Sequence, residues 1–188
     1  PALISSYRLQ VQHLARQLKL TLETITEYDQ AIAECFNPLP DASLFASLPG
    51  AGPQLAPRLL AAFGSDRAHW PQVQSFLQYT GIAPVTERSG KKSWVHWRFS
   101  CPTFVRQTFV EWAAQTITRS FWAKAYYEQQ RAKGKPHQVA VRALAFKWIR
   151  ILHRCWLDNK PYDEAQYLMA LQRKGSPLVA GLGQAHDA

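Results

Sequence analysis

The sequence is poor in the residue types that build metal and disulfide sites. Its three cysteines, Cys35, Cys101 and Cys155, stand far apart and form no Cys-x-x-Cys pair, so neither a zinc site nor a disulfide framework is predicted. The six histidines lack metal-ligand spacing. After Gly64 there are only eight Asp and Glu, and they form no recognisable set of carboxylate ligands. We therefore expect no metal site and no cofactor within this chain.

Long apolar runs and a leader pattern are missing as well. No stretch reaches the roughly 18 apolar residues that a membrane span requires, and Pro1 to Arg8 contain no basic segment followed by an apolar one. We expect a protein of the reducing cytoplasm without a membrane partner. Because the chain begins with Pro1 and enters helical sequence at once, we also expect a longer polypeptide to precede it.

Positive charge is concentrated in the second part of the chain. Residues 1–64 carry four Lys and Arg against five Asp and Glu, whereas residues 65–188 carry eighteen against eight. A field of this sign attracts polyanions, and nucleic acid is the commonest such partner. The charge distribution therefore favours nucleic-acid binding by the second part.

Residues 1–37 are predicted to form a coiled-coil helix. Glycine and proline are absent between Ala2 and Phe36, and apolar residues recur at intervals of three and four, interrupted at Thr21. This apolar stripe consists of Ile4, Tyr7, Val11, Leu14, Leu18, Ile25, Tyr28, Ile32 and Cys35. The stripe favours self-association into a homo-oligomer, and the alternative is that it packs on the chain's own globular part.

Residues 38–165 are predicted to form a mainly α-helical domain. Helices are expected at Leu44–Leu48, Pro53–Phe63, Trp70–Tyr79, Thr103 to about Arg131 and His137 to about Leu157. Between the first two, Leu48-Pro49-Gly50-Ala51-Gly52 has the form of a helix-hairpin-helix motif. Gly50 and Gly52 would let the backbone approach a phosphate, or would serve packing alone. Residues 166–188 are expected to be a short helix and a flexible tail.

A small β-hairpin is predicted between these helices. Val95, Trp97 and Phe99 alternate with Trp94, His96 and Arg98, with a turn before them at Glu87–Lys92. The face with Trp94, His96 and Arg98 is suited to stacking on bases and pairing with phosphates, and the opposite face is predicted to be core. Packing of Trp94 under the following helices is the competing interpretation.

Ser89 is the candidate nucleophile in the predicted turn. Arg88, Lys91 and Lys92 surround it, and cations both activate a hydroxyl and stabilise charge on a transferring phosphoryl group. Taken alone, Ser-Gly is also an ordinary turn dipeptide.

The last long helix carries a second basic candidate. Lys147, Arg150 and Arg154 fall at i, i+3 and i+7, which places three positive charges on one helix face. Such a face binds phosphates in some proteins and is simply solvated in others.

Several motifs occur together in an order that resembles one known family. They are Leu48-Pro49-Gly50-Ala51-Gly52, Gly81-Ile82-Ala83-Pro84, Ser89-Gly90-Lys91, Arg106, and Tyr127 through Lys133-Gly134-Lys135 to Ala143 and Lys147. The order and spacing resemble the C-terminal domain of IS-one-ten-type insertion-sequence transposases, which are related to the Piv DNA invertases. The resemblance covers roughly residues 42–165. Cys101-Pro102 departs from it, because the family usually has Gly-Asn before the next helix.

The resemblance implies a transposase that has a serine nucleophile and works with a second, acidic domain. In the family, an N-terminal RuvC-like domain with four acidic ligands holds Mg²⁺, and a coiled coil precedes the serine-bearing domain. Ser89 would form a covalent phosphoserine link with DNA, and Arg88, Lys91, Lys92 and Arg106 would contact the scissile phosphate. A structured bridge RNA would guide recognition of DNA. The expected location is the bacterial cytoplasm, at the nucleoid, and this chain alone is expected to be inactive.

Two other functions fit the same residues. A non-catalytic helix-hairpin-helix protein would bind DNA structure, with Ser89 only a turn residue. A degenerate transposon remnant would act as a structural or regulatory dimer through its N-terminal helix.

Overall fold

The computed structural model describes residues 2–179, with side chains from residue 4 onward. The chain divides between Leu39 and Pro40 into two units. The elements are α1 (Ala2–Phe36), α2 (Ala42–Ala46), α3 (Gly52–Phe63), α4 (Val73–Tyr79), β1 (Val85–Ser89), β2 (Lys92–His96), α5 (Thr103–Thr116), α6 (Phe121–Ala132), α7 (His137–Leu157) and α8 (Glu164–Arg173), with 3₁₀ turns at Arg67–His69 and Pro177–Val179. The prediction of a mainly helical chain with a small hairpin is confirmed.

The first unit contains α1, a helix of 35 residues and therefore about 52 Å in length. Its predicted stripe is open, since the apolar members from Ile4 to Ile32 are 44–73% exposed and Cys35 is exposed as well. Thr21, which interrupts the stripe, donates its hydroxyl hydrogen bond to the Gln17 carbonyl at 2.8 Å. The Thr21 hydroxyl is thus hydrogen-bonded within the helix, and the rest of the stripe forms a long exposed apolar face.

The core of the second unit is built around α7. This helix buries nine side chains and packs against α4, α5 and α6. Four tryptophans are completely buried there, and each indole N–H has an acceptor, as buried polar groups require. The pairs are Trp112 with the Pro49 carbonyl (3.0 Å), Trp122 with the Tyr162 hydroxyl (2.8 Å), Trp148 with the Thr116 hydroxyl (2.7 Å) and Trp156 with the Gly64 carbonyl (3.1 Å).

The single helix predicted from Thr103 to about Arg131 is wrong, because the structure has two helices there. α5 ends at Thr116, and α6 begins after Ser120, whose side-chain oxygen accepts a hydrogen bond from the Ala123 amide. Glu164 accepts hydrogen bonds from the Ser120 hydroxyl at 2.9 Å and from the Phe121 amide at 2.8 Å. A capping serine and a carboxylate at the start of α6 therefore stabilise the break.

The hairpin joins the helices without contributing a buried face. β1 and β2 pair antiparallel from Val85 opposite His96 to Ser89 opposite Lys92. The predicted core face is wrong, since Val95 is 63% and Phe99 is 81% exposed. Only two strands pair in the described part of the chain, and their residues are exposed or half-buried. Arg98 and Phe99 also lie beyond β2, which ends at His96.

The end of the described chain folds back onto the helices. α8 follows a capping Asp163, whose carboxylate accepts from the Gln166 amide, and Leu178 and Val179 are buried. Residues 180–188, where the predicted tail ends, lie outside the described residues. Within residues 2–179, no helix combines the length and apolar character needed to cross a bilayer.

Candidate nucleic-acid interface

Ser89 stands at the exposed tip of the hairpin, as the last residue of β1. Only Gly90 and Lys91 separate it from β2. Gly90 has φ +57°, and a positive φ at the first central position is what a type II′ hairpin turn requires. The local sequence therefore places the serine hydroxyl in solvent, where a large substrate can reach it.

The strand register determines which predicted residues share a face with Ser89. Directly opposed residues point to the same side, so Val85, Glu87, Ser89, Lys92, Trp94 and His96 form one face of the hairpin, which we call the serine face. Lys92 is directly opposite Ser89. Arg88 points to the other side, and Lys91 lies in the turn. The structure thus brings one cation, one indole and one imidazole onto the face of the candidate nucleophile.

His96 is held on the serine face by Glu87. Its Nε2 lies 2.7 Å from Glu87 Oε1, and its Nδ1 donates to the Trp97 carbonyl oxygen at 2.7 Å. Both contacts favour a proton on the ring nitrogen, and the hydrogen bond with Glu87 is the main cause of a raised His96 pKa. The imidazole is therefore an additional positive group on this face as pH falls.

An arginine cluster lies where β2 joins the helices. Arg106 Nη1 donates to the Arg98 carbonyl at 3.3 Å, and the Arg106 and Arg142 guanidinium groups both lie over the Trp97 ring. Arg98 Nε, Arg142 Nε and Arg142 Nη2 are buried without a hydrogen-bond partner in the described part of the chain. Burial, followed by repulsion from Arg106, lowers the Arg142 pKa to about 10.

Arg142 and Trp97 are functional candidates that sequence reasoning missed. The sequence does contain an indication of Arg142, because it is the one charged residue in the otherwise apolar segment 139–146 of the helix. Arg98, predicted to share the strand face with Trp94 and His96, lies past the end of β2 and is partly buried.

Gly81 lies against Cys101, just before the start of α5. Gly81 has φ +71°, and a Cβ at this position would lie 2.4 Å from Cys101 Sγ and 2.8 Å from Cys101 Cβ. Pro102 occupies the N-cap position of α5, where its missing N–H costs nothing. The cysteine thus packs directly on the glycine, next to the start of the helix that carries Arg106.

The predicted basic stripe of α7 lines a groove toward α8. Lys147, Arg150 and Arg154 are joined there by two cations that the sequence analysis did not include, Lys160 and Lys174. We call this set the basic groove; its volume is about 760 Å³. Arg150 is exposed, Arg154 pairs with Asp158 at 2.6 Å, and Lys147 lies 4.5 Å from the Tyr126 ring, where burial lowers its pKa. The groove is therefore positive but partly neutralised at one end.

The two glycines of the predicted helix-hairpin-helix motif differ in their surroundings. A Cβ on Gly50 would lie 3.0–3.2 Å from Gln115, so close packing on α5 accounts for this glycine. Gly52 has φ +59° and no atom within 4 Å of the same position. Only Gly52, at the start of α3, leaves space for a ligand to approach.

The described residues contain no group of three or more His, Cys, Asp or Glu placed to hold a metal ion. On the serine face, Glu87 is already engaged by His96.

Comparison with known proteins identifies relatives of this chain. Residues 42–128 match the model of the transposase IS116/IS110/IS902 family, a range that includes the glycine turn, the hairpin and α5. The chain is 31% identical over 95% of its length to the mini-circle candidate transposase for IS117 of Streptomyces coelicolor, and covers 42% of that protein. It is 29% identical over 82% of its length to a 42 kDa protein of insertion element IS900 of Mycobacterium paratuberculosis, covering 39% of it.

A DNA-inverting protein is among the relatives as well. The pilin gene-inverting protein of Moraxella bovis is 27% identical over 76% of this chain, which covers 46% of that protein. The chain thus spans less than half the length of the curated relatives it matches. The family-model match over residues 42–128 and the similarity to these transposon and gene-inverting proteins identify the chain as a member of the IS116/IS110/IS902 transposase family.

Proposed function

We propose that this chain supplies the nucleophile and part of the DNA-binding surface of a transposase that cleaves and rejoins DNA. The observation that carries the proposal is the position of Ser89, at an exposed hairpin tip with Lys92 directly opposite on the same face. Lys92 would attract the phosphodiester, and Trp94 and His96 would contact the strand beside it. The names of the relatives, a transposase and a gene inverter, support the same class of reaction.

The proposed step exchanges one phosphate ester bond for another, so no external energy source is needed to rejoin the DNA. Ser89 Oγ forms a bond to phosphorus while the bond from phosphorus to one deoxyribose oxygen breaks. The serine proton leaves to solvent, and the departing deoxyribose oxygen takes up a proton. A hydroxyl of a second DNA end can then attack the phosphoserine ester, which restores a phosphodiester and frees Ser89.

We propose that magnesium in the intact protein is held by residues outside the described part of this chain. The described residues offer no acidic ligand set, and the chain covers less than half of its relatives. We therefore propose a composite site, in which this chain contributes Ser89 and a separate acidic region contributes the metal ligands. The chain alone would bind nucleic acid without cutting it.

The basic groove is the proposed surface for the guide RNA. It lies on α7 and α8, apart from the hairpin tip, and presents several cations to a ligand backbone. Cations that contact phosphates position a nucleic acid without reading its sequence. This property suits a structured RNA that is held largely through its backbone.

We further propose that α1 pairs with a second copy of the chain. Eight apolar members of its stripe are exposed, and an apolar face of this length is unfavourable in water unless covered. Heptad spacing is the pattern by which helices cover such faces mutually.

An SDS-resistant adduct assay tests the central proposal. The full-length protein that contains this chain is incubated with DNA, its guide RNA and magnesium, and Ser89→Ala is compared with Ser93→Ala. Ser93 is an exposed serine on the opposite face of the same hairpin, paired with Arg88, so it is a matched control. Loss of the adduct in Ser89→Ala and its retention in Ser93→Ala is expected. An adduct that survives in Ser89→Ala would reduce Ser89 to a turn residue and favour the non-catalytic DNA-binding function.

A further inference from the structure

A pocket of about 440 Å³ opens between the base of the hairpin and the helices. This volume lies in the range of small-molecule binding sites. The side chains that define it are mostly apolar or aromatic, and the main ones are Ile82, Pro84, Trp97, Tyr126, Arg142 and Phe146. We call it the Arg142 pocket.

Arg142 is the one permanently charged group among the residues that line the pocket, and none of them is Asp or Glu. Its Nε and Nη2 atoms are buried without a hydrogen-bond partner among the described residues. These two atoms form one edge of the guanidinium fork, which matches a pair of neighbouring acceptors. Unpaired buried donors are costly, so a ligand that supplies acceptors gains what the protein alone lacks. Because the guanidinium lies over the Trp97 ring and both atoms are covered, the ligand reaches them by displacing that ring.

The composition of the pocket determines which class of ligand fits it. A phosphate would use the guanidinium but would gain nothing from the aromatic and aliphatic walls. An aliphatic ligand would use the walls and leave Arg142 unpaired. A nucleobase uses both, because its faces stack on aromatic rings and its edge carries acceptors. Guanine suits the fork best, since O6 and N7 are adjacent acceptors that arginine binds in a bidentate manner.

We propose that the Arg142 pocket receives an unstacked nucleobase, with guanine preferred, from the strand that is bound at the hairpin. This rests on the proposed function, because it assumes a nucleic-acid strand along the serine face. From the Ser89–Lys92 pair to the Val85–His96 pair the hairpin advances four positions, or about 13 Å at the usual strand rise. That length corresponds to about four nucleotides of a stacked strand. The pocket thus reads one base a few nucleotides from the phosphate that Ser89 attacks.

Short single strands test the pocket directly on this chain. Binding is measured by fluorescence anisotropy for a labelled twelve-nucleotide dT strand and for a strand of the same length with alternating dG and dT. The alternating strand should bind at least about fivefold tighter, because half of its registers place guanine at the pocket and a good bidentate pair is worth about tenfold. Replacing each guanine by 7-deazaguanine, which lacks the N7 acceptor, should remove most of this preference without any change to the protein.

Variants of the chain separate the pocket from general binding. Arg142→Lys keeps the charge and loses the fork, so it should bind both strands with the affinity of the dT strand. Arg119→Lys makes the same exchange at an exposed position between α5 and α6, outside the proposed binding surfaces, and should keep the preference. If the unmodified chain binds all three strands equally, the proposed guanine pocket is wrong, while the proposal of nucleic-acid binding still stands. Failure to bind any strand would overturn both the pocket and the binding function proposed above.

Discussion

Replacing Gly81 by alanine should destabilise the second unit much more than an ordinary glycine substitution. At φ +71° an alanine pays about 1–2 kcal/mol for the left-handed backbone. Its Cβ would also lie 2.4 Å from Cys101 Sγ, and insertion of a methyl group into a packed site costs a further ~1–3 kcal/mol. The expected loss in the free energy of unfolding is therefore about 2–5 kcal/mol, measured by urea denaturation with the fluorescence of the buried tryptophans.

Gly134→Ala is the matched control for this prediction. Gly134 has φ +74°, and a Cβ there would meet no atom within 4 Å, so only the backbone cost applies. The double variant Gly81→Ala with Cys101→Gly removes the obstructing side chain and should recover about 1–3 kcal/mol relative to an additive loss. Equal destabilisation by Gly81→Ala and Gly134→Ala would refute the assignment of Cys101 as the packing partner of Gly81.

Three further predictions follow from charges and exposed surfaces. Glu87→Gln should lower the His96 pKa toward its ordinary value of 6.5, as followed by NMR titration. Because the folded-state pKa is raised, the pairing with Glu87 stabilises the hairpin fully at pH values below 6.5. This stabilisation is lost as the pH rises through the raised pKa. An unchanged His96 titration would argue against the pairing. Arg150→Ala should weaken RNA binding to a similar extent across sequences and reduce the salt slope by about 1, whereas an unchanged slope would remove Arg150 from the interface. Leu18→Asp on the apolar stripe should shift sedimentation toward the monomer, while Gln12→Asp, off the stripe, should not; identical sedimentation of the two variants would exclude the stripe as an oligomer contact.

Periodicity in the sequence predicts most helices of the fold because their apolar spacing is determined locally. The predicted helix at His137 to about Leu157 agrees with α7, and the long N-terminal helix agrees with α1. The break after Thr116 escapes this reasoning, since no glycine or proline marks it. It depends on Glu164, 44 positions away from Ser120, which caps α6 through tertiary contact.

The hairpin shows a different limit of sequence reasoning. Alternation correctly indicates a strand, but it cannot tell whether another element covers the second face, and Val95 remains exposed. Ser89 and its turn can be predicted because a two-residue hairpin turn is determined by its own glycine and by the strand residues next to it. The Arg142 pocket is not, because it joins residues from the hairpin, α6 and α7 that come together only in the folded chain.

The central claim is that Ser89 becomes covalently joined to DNA. The most direct measurement is peptide mass spectrometry of the SDS-resistant complex from the full-length protein, trimmed with nuclease and digested with protease. The account predicts that the remaining nucleotide mass is carried by Ser89, on the peptide that ends β1. Nucleotide mass on any other residue, or DNA rejoining without a covalent protein intermediate, would contradict it.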